Sequence, residues 1–310
     1  MRCSSVTDGF YGLPTHIVAN DHLRLDVLAE AGPRIVRLFL AGSDENQLAE
    51  TPDVKWGTPY GEYCLRGGHR LWHSPEASPR SSIPDNHGLE LEEVEDGVLL
   101  RQPPEVGTGI CKSIEIRLDG GRPAVTLYHR LRNDGLWPVE LSPWAITQLP
   151  LGGIVVMPQR TEPTDKDGLQ PNRNLVLWPY TRWRDPRLHL DDDYALLKAD
   201  PRLPPCKIGY LNPHGWLGYL RRGVLFCKRF EAHADQSFPD FGCNAEVYCN
   251  DLFVELETLA PLARLEPGQS ATHIETWEFC TGLAVDQAID NVGDVMAALD
   301  LLTTSPRSWT

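Results

Sequence analysis

Long apolar runs and positive charge are what this 310-residue sequence lacks. No stretch approaches the roughly 18 apolar residues that a membrane helix needs, so no spanning helix is expected. Lys and Arg number 29 against 43 Asp and Glu, a formal net charge of -14. So acidic a surface repels phosphate backbones and anionic lipid, which excludes nucleic acid and membrane as expected partners. The opening MRCSSVTDGFYG has no basic segment leading into an apolar one, so no export signal is read and a cytoplasmic location is the default expectation. Eight cysteines are present, but none forms C-x-x-C, and their spacing matches no zinc ribbon or dithiol motif. Most read as small buried hydrophobes. No cofactor and no metal is expected.

Helical period is also scarce. It is clear only in LAVDQAIDNVGDVMAALDLL, where Val285, Ile289, Val292, Met296 and Leu299 recur at three to four residues, predicting a helix over about 284–302. Strand grammar fills most of the rest. HLRLDVLAEAG and PRIVRLFLAG read as a hairpin turning near Ala31 and Gly32. SIEIRL places Ile114, Ile116 and Leu118 on one face; VTLYHRL places Val125, Leu127, His129 and Leu131 on one face. That setting marks His129 as a buried structural histidine. Residues 160–205, rich in Pro, Asp and Arg, read as a long excursion on a rim. The whole, 1–310, reads as a single all-β domain, a sandwich or barrel of antiparallel strands with a C-terminal helix.

Three stretches carry candidate chemistry. In LRGGHRLWHSPE, residues 65–76, His69 and His73 stand four apart with Glu76 three further on, as metal ligands on a helix would. Gly67, Gly68 and Pro75 oppose that helix, leaving a structural turn or a ligand-binding loop. Arg70 and Trp72 favour the loop, since sugars need donors for hydroxyls and an aromatic face for ring C–H groups. In NDLFVELETLAPL, alternation puts Phe253, Glu255 and Glu257 on one face, with the two carboxylates about 7 Å apart at roughly 3.3 Å per residue. Such a pair can divide acid and base roles; the bland reading is a solvated edge strand. In EVYCN, Glu246 and Tyr248 share a face, and a turn at Asn250 and Asp251 would bring Glu246 beside Glu255 and Glu257. Lys207, Lys228 and Arg70 are the cations available to balance three carboxylates, and they hint at an anionic group on the ligand.

GPRIVRLFLAG, GGHRLWHSPE, SPWAITQLPLGG and FPDFGCNAEVYCNDLFVELETLAPLARLEPGQSATHIETWEF together resemble the aldose 1-epimerase (galactose mutarotase) superfamily, over about residues 20–280. The resemblance implies a supersandwich of antiparallel sheets with a sugar on a sheet face. It implies a glutamate base, at Glu257, that takes the anomeric proton, and a histidine acid that protonates the ring oxygen. Arg70 is the counterpart of the family's sugar-contacting arginine. The family's histidine strand is replaced here by Ser142-Pro143-Trp144-Ala145, which leaves Trp144 as a contact residue and His69 or His73 as the substitute acid. The expectation is a carbohydrate-active isomerase. The alternatives are a non-catalytic sugar-binding protein, or a lyase or isomerase using the Glu/His cluster. On this view LRGGHRLWHSPE faces Glu257 across a pocket, with Trp72 packed.

Overall fold

The computed structural model describes residues 2–233 and 235–283. The expected helix over 284–302 lies outside the described residues. Short alternating runs become antiparallel strands because the aliphatic set of each must be covered while the other set can meet water. Ile110–Leu118 shows this plainly: Ile110, Lys112, Ile114, Ile116 and Leu118 are buried, and Cys111, Ser113, Glu115 and Arg117 on the other face are not. Strands of this kind assemble into an 11-stranded and a 10-stranded sheet, with a separate two-stranded hairpin, Glu50–Thr58 with Gly61–Gly67.

The main core lies between the two large sheets. Leu25, Leu38, Leu71, Val254 and Leu256 from one sheet pack with Ile114, Ile116, Leu127 and Trp277 from the other. Each such side chain contributes about 1.5–3 kcal/mol through burial. The expected hairpin forms, with Leu23–Leu28 paired to Arg34–Leu40. So does the tight one: Asn250 Oδ1 accepts from the N–H groups of Leu252 and Phe253, and Ala245–Cys249 then pairs with Phe253–Leu259. That pair sits well inside the larger sheet, which excludes the solvated-edge reading of the Glu255–Glu257 strand.

Two expectations change. The segment 65–76 is not a loop. It is the end of one strand, a break, and the strand His69–Ser74. The break needs its glycines: Gly68 has φ +69°, and a Cβ there would lie 2.0 Å from the Ile35 carbonyl oxygen. The excursion over 160–205 is not bare loop either. It holds the short strands Val176–Leu177 and Leu188–Leu190, and Tyr194–Lys198 joins the smaller sheet beside Ile154–Pro158. A buried Asp185–Arg187 pair, with Arg187 also donating to the carbonyls of Cys249 and Pro204, ties the excursion down. Such local anchoring leaves no hydrophobic period to read.

Candidate functional site

The site is built on the outer face of the 11-stranded sheet. Four neighbouring strands supply it in order: His69–Ser74, Val139–Pro150, Phe253–Leu259 and Ala245–Cys249, with Cys206–Tyr210 beyond. Their registers place Arg70, Ile146, Glu257, Glu246 and Gly209 in one row across the sheet. Trp72, Trp144 and Leu259 form a second row; Gln148, Glu255, Tyr248 and Lys207 form a third. Residues opposite one another on one face interact directly, so sequence-distant side chains converge. At Gly209 a Cβ would lie 2.7 Å from Cys243 Sγ and 3.2 Å from Glu246 Cγ, so the missing side chain makes room for the Glu246 carboxyl.

These rows form the floor of a cavity of about 230 Å³. Arg70, Trp72, Trp144, Lys207, Glu255 and Glu257 line it, with Glu76 at the exposed mouth. Trp56, Leu65, Tyr180, Tyr248 and Phe253 complete the walls. Trp72 is packed: its ring meets Tyr63 and Trp144 edge-on, and its Nε1 donates to Tyr63 Oη at 2.9 Å. Trp56 and Tyr180 have no alternation to reveal them; the aromatic-rich WPYTRW is the one signal for Tyr180.

The polar groups form a connected set. Lys207 Nζ lies 2.7 Å from Glu246 Oε2 and 2.9 Å from Glu257 Oε2, and sits over the rings of Trp144 and Trp178. Trp144 Nε1 also donates to Glu257 Oε2, at 2.8 Å. Arg70 Nη2 donates to Glu255 Oε1 at 3.0 Å, and its guanidinium lies over Trp72. Burial pulls the Lys207 ammonium down, but Glu246 and Glu257 outweigh it and hold the group well above the lysine range. Burial pushes Glu255 up to about 7, with Glu257 adding to the rise and Arg70 opposing it. Burial also raises Glu246 well above the carboxylate range, against the pull of Lys207. Several buried atoms of these rows remain without a partner: among the lining residues Glu257 Oε1 and the Nε and Nη1 of Arg70, and beside them Glu246 Oε1 and the amide of Gln148. Buried polar atoms are almost always satisfied, so these are positions where a ligand would complete the bonding.

The structure does not bring His69, His73 or Lys228 into this cavity. Along His69–Ser74, Arg70 and Trp72 point outward, so His69, Leu71 and His73 point into the space between the sheets. His73 Nε2 lies 3.5 Å from Glu105, which is itself ion-paired with Lys112. Lys228 comes from the facing sheet. Its Nζ is 2.9 Å from both Glu275 Oε1 and the Ala145 carbonyl oxygen, and 3.0 Å from Thr147 Oγ1 and the Leu256 carbonyl oxygen. It therefore grips the underside of the strands whose outer faces carry Trp144 and Glu257. With Lys228 below the sheet, and Lys207 and Arg70 each paired with carboxylates, no unpaired cation lines the cavity among the described residues.

His69, His129 and Glu275 cluster with Lys228 beneath the floor, and their hydrogen bonds define the tautomers. His129 Nδ1 must donate to the His273 carbonyl oxygen at 3.1 Å, so its Nε2 accepts from His69 Nε2 at 2.7 Å. His69 Nδ1 then accepts from Thr147 Oγ1 at 2.9 Å. Their ligand atoms lie close enough for a cation, but Lys228 already supplies that charge to Glu275. His129 is buried, as its apolar strand face suggests. Burial lowers it from 6.5 to about 4 and also holds His69 well below the histidine range, while Lys228 outweighs burial and holds Glu275 well below the carboxylate range. The unfolded chain thus binds protons between pH 6.5 and about 4 that the folded chain does not. The cluster's contribution to stability is expected to be full above 6.5 and to fall through that window, while the raised carboxyls Glu246 and Glu255 act in the opposite sense, so the profile that reads the cluster is the difference between thermal melts of the wild type and of His129→Gln. A flat profile would mean that the cluster charges within the fold.

No family model matches the chain, and no curated protein matches it in sequence. Solved structures do match. A galactose mutarotase-like protein from Lactobacillus casei superposes with a TM-score of 0.59 at 9% identity, over 86% of this chain and 100% of that one. A candidate mutarotase from Salmonella typhimurium gives 0.56 at 12%, over 87% and 91%. A candidate aldose 1-epimerase from Escherichia coli K12 gives 0.52 at 13%, over 87% and 100%. At such identities the likeness is one of architecture. The class is an all-β, multi-sheet antiparallel fold; in particular it is the galactose mutarotase-like fold that the sequence resembles.

Proposed function

We propose that the outer-face cavity binds a monosaccharide and interconverts its anomers by general acid–base catalysis. The observation that carries this reading is the free, buried Glu257 Oε1 and two free Arg70 donors in the lining of one cavity walled by aromatic rings. A sugar offers hydroxyls to the first two and C–H faces to the third. Its volume is below the roughly 300 Å³ at which drug-sized sites begin, which suits a single ring.

In this mechanism Glu257 takes the O1 proton through Oε1, while Trp144 and Lys207 hold Oε2 in place. With the histidines behind the sheet, the acid is Glu255, two residues along the same face. A carboxyl raised to about 7 keeps a proton to give and is still acidic enough to give it to the ring oxygen. The ring opens, C1 rotates about the bond to C2, and closure with the proton transfers reversed yields the other anomer. The two carboxylates need not move, because O1 and the ring oxygen share C1.

Saturation-transfer NMR on a panel of reducing sugars tests this directly. At least one should exchange anomers faster with the protein than without it. If Glu255 is the acid, that rate declines as pH rises through about 7. Exchange equal to the uncatalysed rate for every sugar sinks the catalytic reading. A second reading, binding without turnover, draws on the absence of any histidine from the cavity lining. Saturation of the bound sugar with no exchange would establish it.

A further inference from the structure

We propose that the sugar taken by this cavity carries a positively charged amino group. This rests on the sugar-binding reading above and adds the charge class of its ligand. Four carboxyl groups serve the cavity: Glu76, Glu255 and Glu257 in its lining and Glu246 directly behind. Two cations face them, Arg70 and Lys207, so the set carries two carboxyls in excess. Both cations are already engaged, Lys207 by Glu246 and Glu257, and Arg70 by Glu255. Glu76, at the mouth, has no ion pair among the described residues and is the group free to meet a cation.

The walls point the same way independently. Trp56, Tyr180, Tyr248 and Phe253 line the cavity together with Trp72 and Trp144, whose rings already carry Arg70 and Lys207. Aromatic faces carry negative charge density, so they attract ammonium groups and do nothing for carboxylates or phosphates. The cavity already shows this chemistry: the Lys207 ammonium lies 4.7 Å from the centre of the Trp144 ring and 4.5 Å from that of Trp178. A phosphorylated or acidic sugar would bring an anion beside Glu76 with no unpaired cation in the lining to meet it. An ammonium ion would be stabilised by rings and carboxylates at once.

The test is calorimetry with D-glucosamine, D-glucose and D-glucuronate, which differ in charge on a common ring. It is run at about pH 6, below the roughly 7.7–8.0 of an α-amine. Glucosamine is expected to bind about tenfold tighter than glucose, as a cation over aromatic faces near a carboxylate allows, with glucuronate weakest. Glu76→Gln, at an exposed position, should draw the glucosamine affinity toward that of glucose. Glucose or glucuronate binding as tightly as glucosamine would overturn the charge class while leaving the sugar reading intact. No binding by any of the three would overturn both.

Discussion

Glu257→Gln is expected to slow anomer exchange by about 10²–10⁴-fold while the protein stays folded. The substitution keeps shape and removes only basicity. The glutamine carbonyl oxygen can accept from Trp144 Nε1 and Lys207 Nζ, as Glu257 Oε2 does at 2.8 and 2.9 Å. Its amide nitrogen then occupies the position of Oε1, which has no partner to offend. Lys207 keeps Glu246 at 2.7 Å, so no buried cation is abandoned. The loss should therefore appear in the rate under saturating sugar, with affinity little changed, because a group acting on the proton in flight is felt mainly in the transition state. Line-shape or saturation-transfer NMR gives the rate; circular dichroism checks the fold. An unchanged rate would move the base to Glu255 or Glu246.

Lys228→Met should be the more damaging change to stability, at about 3–5 kcal/mol. Glu275 is fully buried, and Lys228 is the ammonium beside it at 2.9 Å. Removing one partner of a buried pair leaves the other charge in a low-dielectric interior. Its close contacts with Ala145, Thr147 and Leu256, which share the three ammonium donors with Glu275, disappear too, and with them the tie between the sheets beneath the cavity. The double change Lys228→Met with Glu275→Gln should recover much of the loss, because neither charge then needs a partner. Denaturant titration of the three proteins measures the coupling. If the single variant is as stable as the double, the pair is not the electrostatic anchor described here.

Much of the site could be read from period-2 alternation. Phe253, Glu255 and Glu257 do share a face, as do Glu246 and Tyr248, and the Asn250–Asp251 turn does bring the two strands together. Arg70, Trp72, Trp144 and Lys207 also come to the same cavity. The histidines show where that reading stopped short. HRLWHS alternates as cleanly as any strand in the chain, with His69, Leu71 and His73 opposite Arg70 and Trp72. Its flanking glycines and proline argue for a loop, and a loop has no faces. Once the segment is a strand, the same rule that sends Arg70 and Trp72 outward sends both histidines inward. Lys228 was hidden for a different reason: its charge suggests solvent or a ligand, and only the facing Ala145, Thr147, Leu256 and Glu275 explain its burial.

The sequence by itself determined the strands, their two-sided character, the Glu255–Glu257 pair and the resemblance that the solved structures now match as a fold. These follow from local chemistry, since alternation and turn residues act over a few positions. Tertiary structure decided which face of each strand meets the other sheet and which meets the cavity. It put Arg70 beside Glu255 across 185 positions of chain, and His69 against His129 instead of Glu257. A strand has two faces of equal geometry. Which one becomes a core and which a binding site depends on what the rest of the chain lays over it.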